Sequence, residues 1–405
     1  MEAASITGDV YIPSRFCADP EWAHSSSVGI RKLVGPDPDP TPIERDRIVR
    51  GLTTSDPLGA ALAEAIAERQ VTLKQFRNVL AHGLDPQSPE PLRAFFEAVQ
   101  DRPDWVDDRL VVRGAEVMRQ AGNTMVDVLD SALVNGYRSS ANTLLLNLTG
   151  GLSSGTIRRL GETLKWTVEC VRAGGLDRNN QGWQLTLHVR LMHALINRHY
   201  ARNTEWDFAT YGMPINQADQ GATLGLHSSY YLLGARLLGM PITKRDSTAV
   251  MHFWRYVGWL LGVQDYWLPL DEMDGRRKFY HLSMTAPGPD ENSRLLATTF
   301  ETARAHIRYG RLQQLRHRYH TAKTRSIFSV LIGRQAMHDD LGLTASWPWY
   351  FLLRVPANLL IHGLIARLPG GRALVLARGE RQLDTALSRL FPDSAAAIGE
   401  LRHGN

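Results

Sequence analysis

His193 is the residue in this chain whose setting best suits a ligand to a metal. The run Trp183 to Arg198 reads Trp-Gln-Leu-Thr-Leu-His-Val-Arg-Leu-Met-His-Ala-Leu-Ile-Asn-Arg. On a helical wheel Leu185, Val189, Met192 and Ile196 form one apolar stripe, with His193 beside Val189 and Ile196. An imidazole there must find a partner or give up its charge. From this helix alone, the ordinary explanation is a core histidine bonded to a carbonyl. A second run, from Ser154 to Ala173, places Arg159, Glu162, Thr163 and Trp166 at spacings of three and four, so the four share a face. Arg159 and Glu162 fit a solvent-exposed pair, while the Thr163 hydroxyl beside the Trp166 ring suits a pocket wall.

The other histidines are less promising. His317 and His320 stand among arginines and read as a solvated face, and His227 and His252 read as satisfied core histidines. There is no His-Glu-x-x-His zinc signature. A lone histidine on an apolar helix, facing a helix with a cation and a hydroxyl, suits an iron porphyrin better than a bare ion. Haem needs one protein ligand, an apolar slot and a few polar groups for its propionates and distal side. On that reading His193 is the metal ligand with Arg190 and Trp166 as its cofactor-contacting neighbours, while Arg159, Glu162 and Thr163 become the catalytic candidates through the resemblance that follows.

Four ordered blocks carry a resemblance. They are Arg-Arg-Leu-Gly-Glu-Thr-Leu-Lys-Trp ending at Trp166, Arg-Leu-Met-His-Ala around His193, Pro-Ile-Asn-Gln-Ala-Asp-Gln-Gly-Ala-Thr-Leu from Pro214, and His-Phe-Trp-Arg-Tyr-Val-Gly-Trp-Leu-Leu-Gly-Val from His252. Over about Trp105 to Arg334 the chain resembles the catalytic domain of latex-clearing proteins and MpaB-type oxygenases. The resemblance implies a globin-like helical core carrying haem b, an activity that cleaves isoprenoid double bonds with dioxygen, His193 as proximal ligand, and Arg159 and Thr163 as the distal polar pair. It also exposes departures. Glu162 stands where the rubber-cleaving branch places a lysine, and Asn135 to Asn147, where that branch keeps an acidic residue, has no Asp or Glu. Glu162 is the available replacement for that base.

The elements that must position these groups are helical throughout. Apolar periodicity marks helices over Pro57 to Glu68, Leu73 to Ala81, Pro91 to Gln100, Asp107 to Gly136 with a bend at Gly122, Gly182 to Tyr200, Asn216 to Leu238, Lys244 to Leu261, Asn292 to His320, Ile327 to Met337, Pro348 to Leu368 and Glu380 to Leu390. Gly174-Gly175 and Gly239-Met240-Pro241 are natural stops. The fold class is therefore all α: an extended arm over 1–44, a helical extension over 45–104, the haem-binding domain over 105–340, and a C-terminal helical extension over 341–405.

With 405 residues, 43% of them hydrophobic, the chain can bury a large core. Two cysteines exclude a disulfide framework. The start, Met-Glu-Ala-Ala-Ser-Ile-Thr-Gly-Asp-Val, shows no secretory pattern, so a cytoplasmic protein is expected. Residues 301–405 hold 15 Arg or Lys against 7 Asp or Glu, a local +8 that leaves −3 for the first 300. That basic quarter admits peripheral membrane contact, and the net +5 does not indicate nucleic acid. Trp347 to Leu368, broken by Arg354, Pro356, Asn358 and His362, reads as a core helix ahead of an interfacial one. The expected partners are dioxygen, an apolar or isoprenoid small molecule and a source of electrons. The rival expectation is a haem protein without turnover, used for sensing, storage or electron transfer.

Overall fold

The computed structural model describes residues 11–150, 156–305, 307 and 311–391. It is all α, with no strand among the described residues. The N-terminal helices are α1 (Pro20–Arg31), α2 (Pro42–Thr53), α3 (Pro57–Ala67), α4 (Leu73–His82) and α5 (Glu90–Glu97). The central ones are α6 (Asp108–Ala121), α7 (Asn123–Gly136), α8 (Ser140–Leu148), α9 (Thr156–Val171), α10 (Gln181–Tyr200), α11 (Phe208–Tyr211), α12 (Gln217–Gly225), α13 (Tyr231–Leu237), α14 (Lys244–Leu260) and α15 (Glu272–Thr285). Then follow α16 (Glu291–Ala305), α17 (Gln313–Phe328), α18 (Arg334–Asp339), α19 (Trp349–Asn358) and α20 (Gly371–Leu390).

Three expectations about these elements are corrected. The arm over 1–44 is not wholly extended, because Pro20 occupies the first turn of α1 and the Asp19 carboxylate accepts from the Trp22 amide, which together start a helix. The run Asn292 to His320 is two helices, broken before α17 where Leu312 is left-handed at φ 61°. The bend at Gly122 is a full break, with φ 53° there separating α6 from α7. Helices α8 and α15 go beyond the periodicity reading. Helix α15 starts Glu-Met-Asp-Gly-Arg-Arg-Lys, too polar to show a stripe, and is set by the Asp271 cap. The expected arm and C-terminal extension also include residues 1–10 and 392–405, which lie outside the described residues.

The core runs through the centre of the chain, where Phe253, Trp254, Tyr256 and Tyr231 are fully buried. Helices α6 and α14 cross at close range. A Cβ on Gly114 would stand 2.3 Å from the Ala249 carbonyl oxygen and 2.7 Å from the Phe253 Cβ. Gly114→Ala should therefore lower stability by about 1–3 kcal/mol despite alanine's better helix propensity, because the clash is with backbone. A thermal midpoint equal to or above wild type would count against this account of the crossing.

The helix carrying His193, α10, packs between α3 and α9. Helices α9 and α10 form an antiparallel hairpin across Gly174 and Gly175. Gly174 is left-handed at φ 66°, and a Cβ on Gly175 would meet the Glu169 carbonyl oxygen at 2.0 Å. The N-terminal extension joins the same core through Phe76, Phe95 and Phe96, the last ring packing on Trp183 at the start of α10.

Candidate active site

The register of the α9–α10 hairpin decides which candidates meet. Near its turn the Cys170 thiol lies 3.7 Å from the Gly182 carbonyl oxygen, and one helical turn on, the Trp166 indole N–H donates to the Thr186 hydroxyl at 3.0 Å. Extending that antiparallel pairing by two turns brings residue 159 level with residue 193. Arg159 and Thr163 therefore stand opposite the His193 end of α10, on the neighbouring helix.

On α10 two faces differ sharply. Leu187, Leu191 and Ala194 are buried, whereas Leu185, Val189, Met192, His193 and Ile196 all keep part of their surface accessible, the first three while packing against the core. The predicted stripe is therefore only partly covered by the neighbouring helices. Burial holds the His193 imidazole down to about 4, although Gln220 beside it and the more distant Asp56 charge both favour the protonated ring. The ring is neutral at physiological pH. Its Nδ1 is buried with no hydrogen-bond partner, and the Gln220 Oε1 is in the same condition. Gln220, on α12 within the block from Pro214, went unrecognised among the sequence candidates. Its signal was a polar amide in a helix otherwise reading as packing surface.

Across from it, Arg159 Nη1 donates to the Leu146 carbonyl at 3.1 Å, the Thr149 carbonyl at 3.4 Å and the Thr149 hydroxyl at 3.1 Å, tying α9 to the end of α8. Burial lowers its pKa, while Tyr137, Glu162 and Tyr200 act the other way. Thr163 is exposed on the same face. Arg159 and Glu162 do not form the pair that their spacing allowed. The Glu162 carboxylate accepts instead from Arg158 Nε at 2.9 Å, and Arg158 is largely exposed, which places the carboxylate at the edge of this face.

Two candidates are turned elsewhere. Arg190 does not join the stripe: its guanidinium makes a buried bidentate pair with Asp56, Nε to Oδ2 at 2.6 Å and Nη2 to Oδ1 at 2.8 Å, and lies over the Phe95 ring. A cation so held is unavailable to a propionate. Trp166 is buried and its N–H is committed to Thr186, leaving only its ring, which packs edge-on against His227. His227 Nδ1 donates to the Thr223 carbonyl at 2.9 Å, and the ring sits 4.8 Å from the Trp254 ring in a π-helical turn, Leu226–Tyr230, between α12 and α13. Among the described residues no three His, Cys, Asp or Glu side chains converge as a bare-ion site. A single imidazole such as His193 is the kind of donor that a porphyrin iron uses.

His320 also departs from expectation. It is not on a solvated face but is held down to about 4, by burial first and then by Lys323, Arg389 and Arg304. His362 is likewise held down to about 4, by burial first. These depressed values, with that of His193, set an acid response. Near pH 6.5 the unfolded chain takes up protons that the folded chain refuses until about pH 4. Stability is therefore full above 6.5 and falls on acidification, least for the half-exposed His320, whose charge water screens. The urea midpoint of cofactor-free protein should drop between pH 7 and pH 5, and an unchanged midpoint contradicts the assignment.

Comparisons with known proteins give the family and the fold. The rubber oxygenase of Streptomyces sp. (strain K30) is 24% identical over 280 residues, which are 66% of this chain and 64% of the relative, so the match spans less than two thirds of that protein. The structure of latex clearing protein LCP in the closed state superposes with a TM-score of 0.63 at 17% identity, over 83% of this chain and 91% of that one, and so shares the fold. The family described as "ER-bound oxygenase mpaB/B'/Rubber oxygenase, catalytic domain" matches residues 119–361, which take in α9, α10 and the π-helical turn. With well over half of its length matched and its helices in the same arrangement, this chain belongs to that family of oxygenase catalytic domains.

Proposed function

We propose that this protein is a haem b dependent oxygenase, with His193 as the axial ligand, that uses dioxygen to cleave or oxidise an alkene in an isoprenoid or lipid-like substrate. The observation that carries this reading is the His193 ring, unpaired at Nδ1, on an accessible aliphatic stripe and level with Arg159, one turn from the level of Thr163. The residues suit the cofactor. A neutral imidazole is the form that ligates, and Gln220 lies beside the ring. Haem, when bound, supplies the redox-active iron that dioxygen chemistry requires.

The chain's own groups do the remainder. The stripe of Leu185, Val189, Met192 and Ile196 receives an apolar molecule and excludes water. Arg159 and Thr163 can donate hydrogen bonds to oxygen atoms that gain negative charge. Glu162, on the helix that carries Arg159 and Thr163, is the carboxylate to accept a proton from the substrate, with Arg158 bonded to it.

The test is to load the protein with haem, reduce it anaerobically, add squalene and admit oxygen. Carbonyl products of double-bond cleavage, or oxygenated squalene, are expected by mass spectrometry. A normal haem spectrum with untouched squalene and other polyprenyl lipids would defeat the oxygenase reading and leave a haem-binding protein without turnover.

A further inference from the structure

The helix expected to be core is not core. From Trp349 the chain stays helical to Arg367, passing from α19 through a π-helical stretch, Leu359–Leu364, into a short 3-10 turn. Leu352, Leu353, Leu359, Leu360, Leu364 and Leu368 are each half exposed or more. Their spacing puts them on one broad side of that helix, a side without an acidic residue and with Arg367 at its end. The opposite side is anchored. The Asn358 amide donates to the Leu238 carbonyl at 2.8 Å, and Arg354 Nη2 donates to the Thr124 hydroxyl at 2.7 Å. Nineteen residues could cross a bilayer by length and composition, but these anchors keep the helix against the protein, so only its outer face is available.

The charge around the stripe has one sign. Residues 341–379 contain Arg354, Arg367, Arg372 and Arg378 and no Asp or Glu. Arg372 is answered by Glu116, but Arg354 bonds only a hydroxyl, and Arg367 is exposed beside the last leucine. Behind the stripe the Arg378 Nη1 and the His362 Nε2 are buried without hydrogen-bond partners. A second copy of the chain laid on this face by a two-fold axis would bring arginine to arginine. A surface of acyl chains topped by phosphates answers both features at once.

We propose that the helix from Trp349 to Arg367 docks in the plane of an anionic bilayer surface, its leucine stripe among the acyl chains and its arginines at the headgroup phosphates. Trp347, exposed at the start of the helix, sits where an interfacial aromatic belongs. This inference is independent of the haem reading. It gives an apolar substrate a route from the membrane, and it favours the anionic leaflet that faces a cytoplasm.

The experiment is co-sedimentation of the full chain with vesicles of phosphatidylcholine alone and of phosphatidylcholine with one quarter phosphatidylglycerol. Wild type should pellet with the anionic vesicles, and Leu352→Glu/Leu360→Glu should bind at least about tenfold more weakly, since it loses two inserted side chains and gains two repelled charges. Both substitutions are at exposed positions, so unchanged circular dichroism and thermal midpoint should accompany the loss. Wild type that stays in solution with both vesicles, or a double variant that binds as well as wild type, overturns the proposal. So does light scattering that shows a dimer which the double variant converts to monomer, because the stripe would then be a contact between copies. Equal binding to phosphatidylcholine alone overturns the headgroup recognition.

Discussion

His193→Ala protein, expressed and loaded with haem beside wild type, should lack the Soret band of a ligated haem and all oxygenase activity while remaining folded. The reasoning has two halves. The imidazole is the donor on the accessible stripe, and the hairpin register sets it level with Arg159, one turn from the level of Thr163, so its loss leaves nothing at that level of α10 to bind iron. Stability should change little, because the ring already borders open space and its Nδ1 is unsatisfied. Deleting it removes an unpaired polar group at the same time as it removes packing. The apoprotein's urea midpoint should thus move by no more than about 1 kcal/mol in free energy. His227→Phe is the control, since His227 also lies in an aromatic pocket near Trp166 and Trp254. A Soret band lost in that variant and kept in His193→Ala would assign the iron to the wrong histidine.

Arg190→Met should destabilise the apoprotein by about 3–5 kcal/mol, the usual effect of leaving one partner of a buried ion pair alone. Here the abandoned group is Asp56, whose side chain is almost as buried as the arginine's and which also accepts from the Gly59 amide to cap α3. The site has no room to adapt, since a Cβ on Gly262 would come within 2.6 Å of the Asp56 carboxyl carbon and 2.7 Å of the Arg190 Nε. Asp56→Asn combined with Arg190→Met should recover much of the loss, because no uncompensated charge then remains inside. Chemical denaturation of the three variants separates the two roles assigned to Arg190. A propionate partner would give normal apoprotein stability with weakened haem binding, whereas the ion pair gives an unstable apoprotein.

Much of the fold was legible because its causes are local. Apolar residues three and four apart, caps such as Thr72 with Gln75 and Thr243 with Asp246, and glycine stops at Gly122 and Gly174 fix helices within a few residues of themselves. Helix α1 was misread although its proline and cap were in view, because proline enrichment suggested an extended arm. In the site, the His193 stripe and the shared face of Arg159 and Thr163 were likewise readable from helical spacing.

Partner choice was not. Spacing allowed Glu162 to pair with Arg159, and the burial of Arg159 against α8 left the carboxylate to Arg158. Arg190 has the right spacing to share His193's surroundings, but Asp56, 134 residues earlier in the chain, claims it. The amide of Gln220 reaches His193 only because α12 folds back beside α10. The leucines of the Trp349 helix would look the same in sequence whether covered or bare. The sequence by itself determined the helical class, most of the helices and the residue types from which the proposed site is built. Only the tertiary structure decided which charges pair, which aliphatic stripe stays open and which apolar face meets the outside. Helical periodicity is written into neighbouring residues, whereas burial and ion pairing depend on segments far apart in the chain.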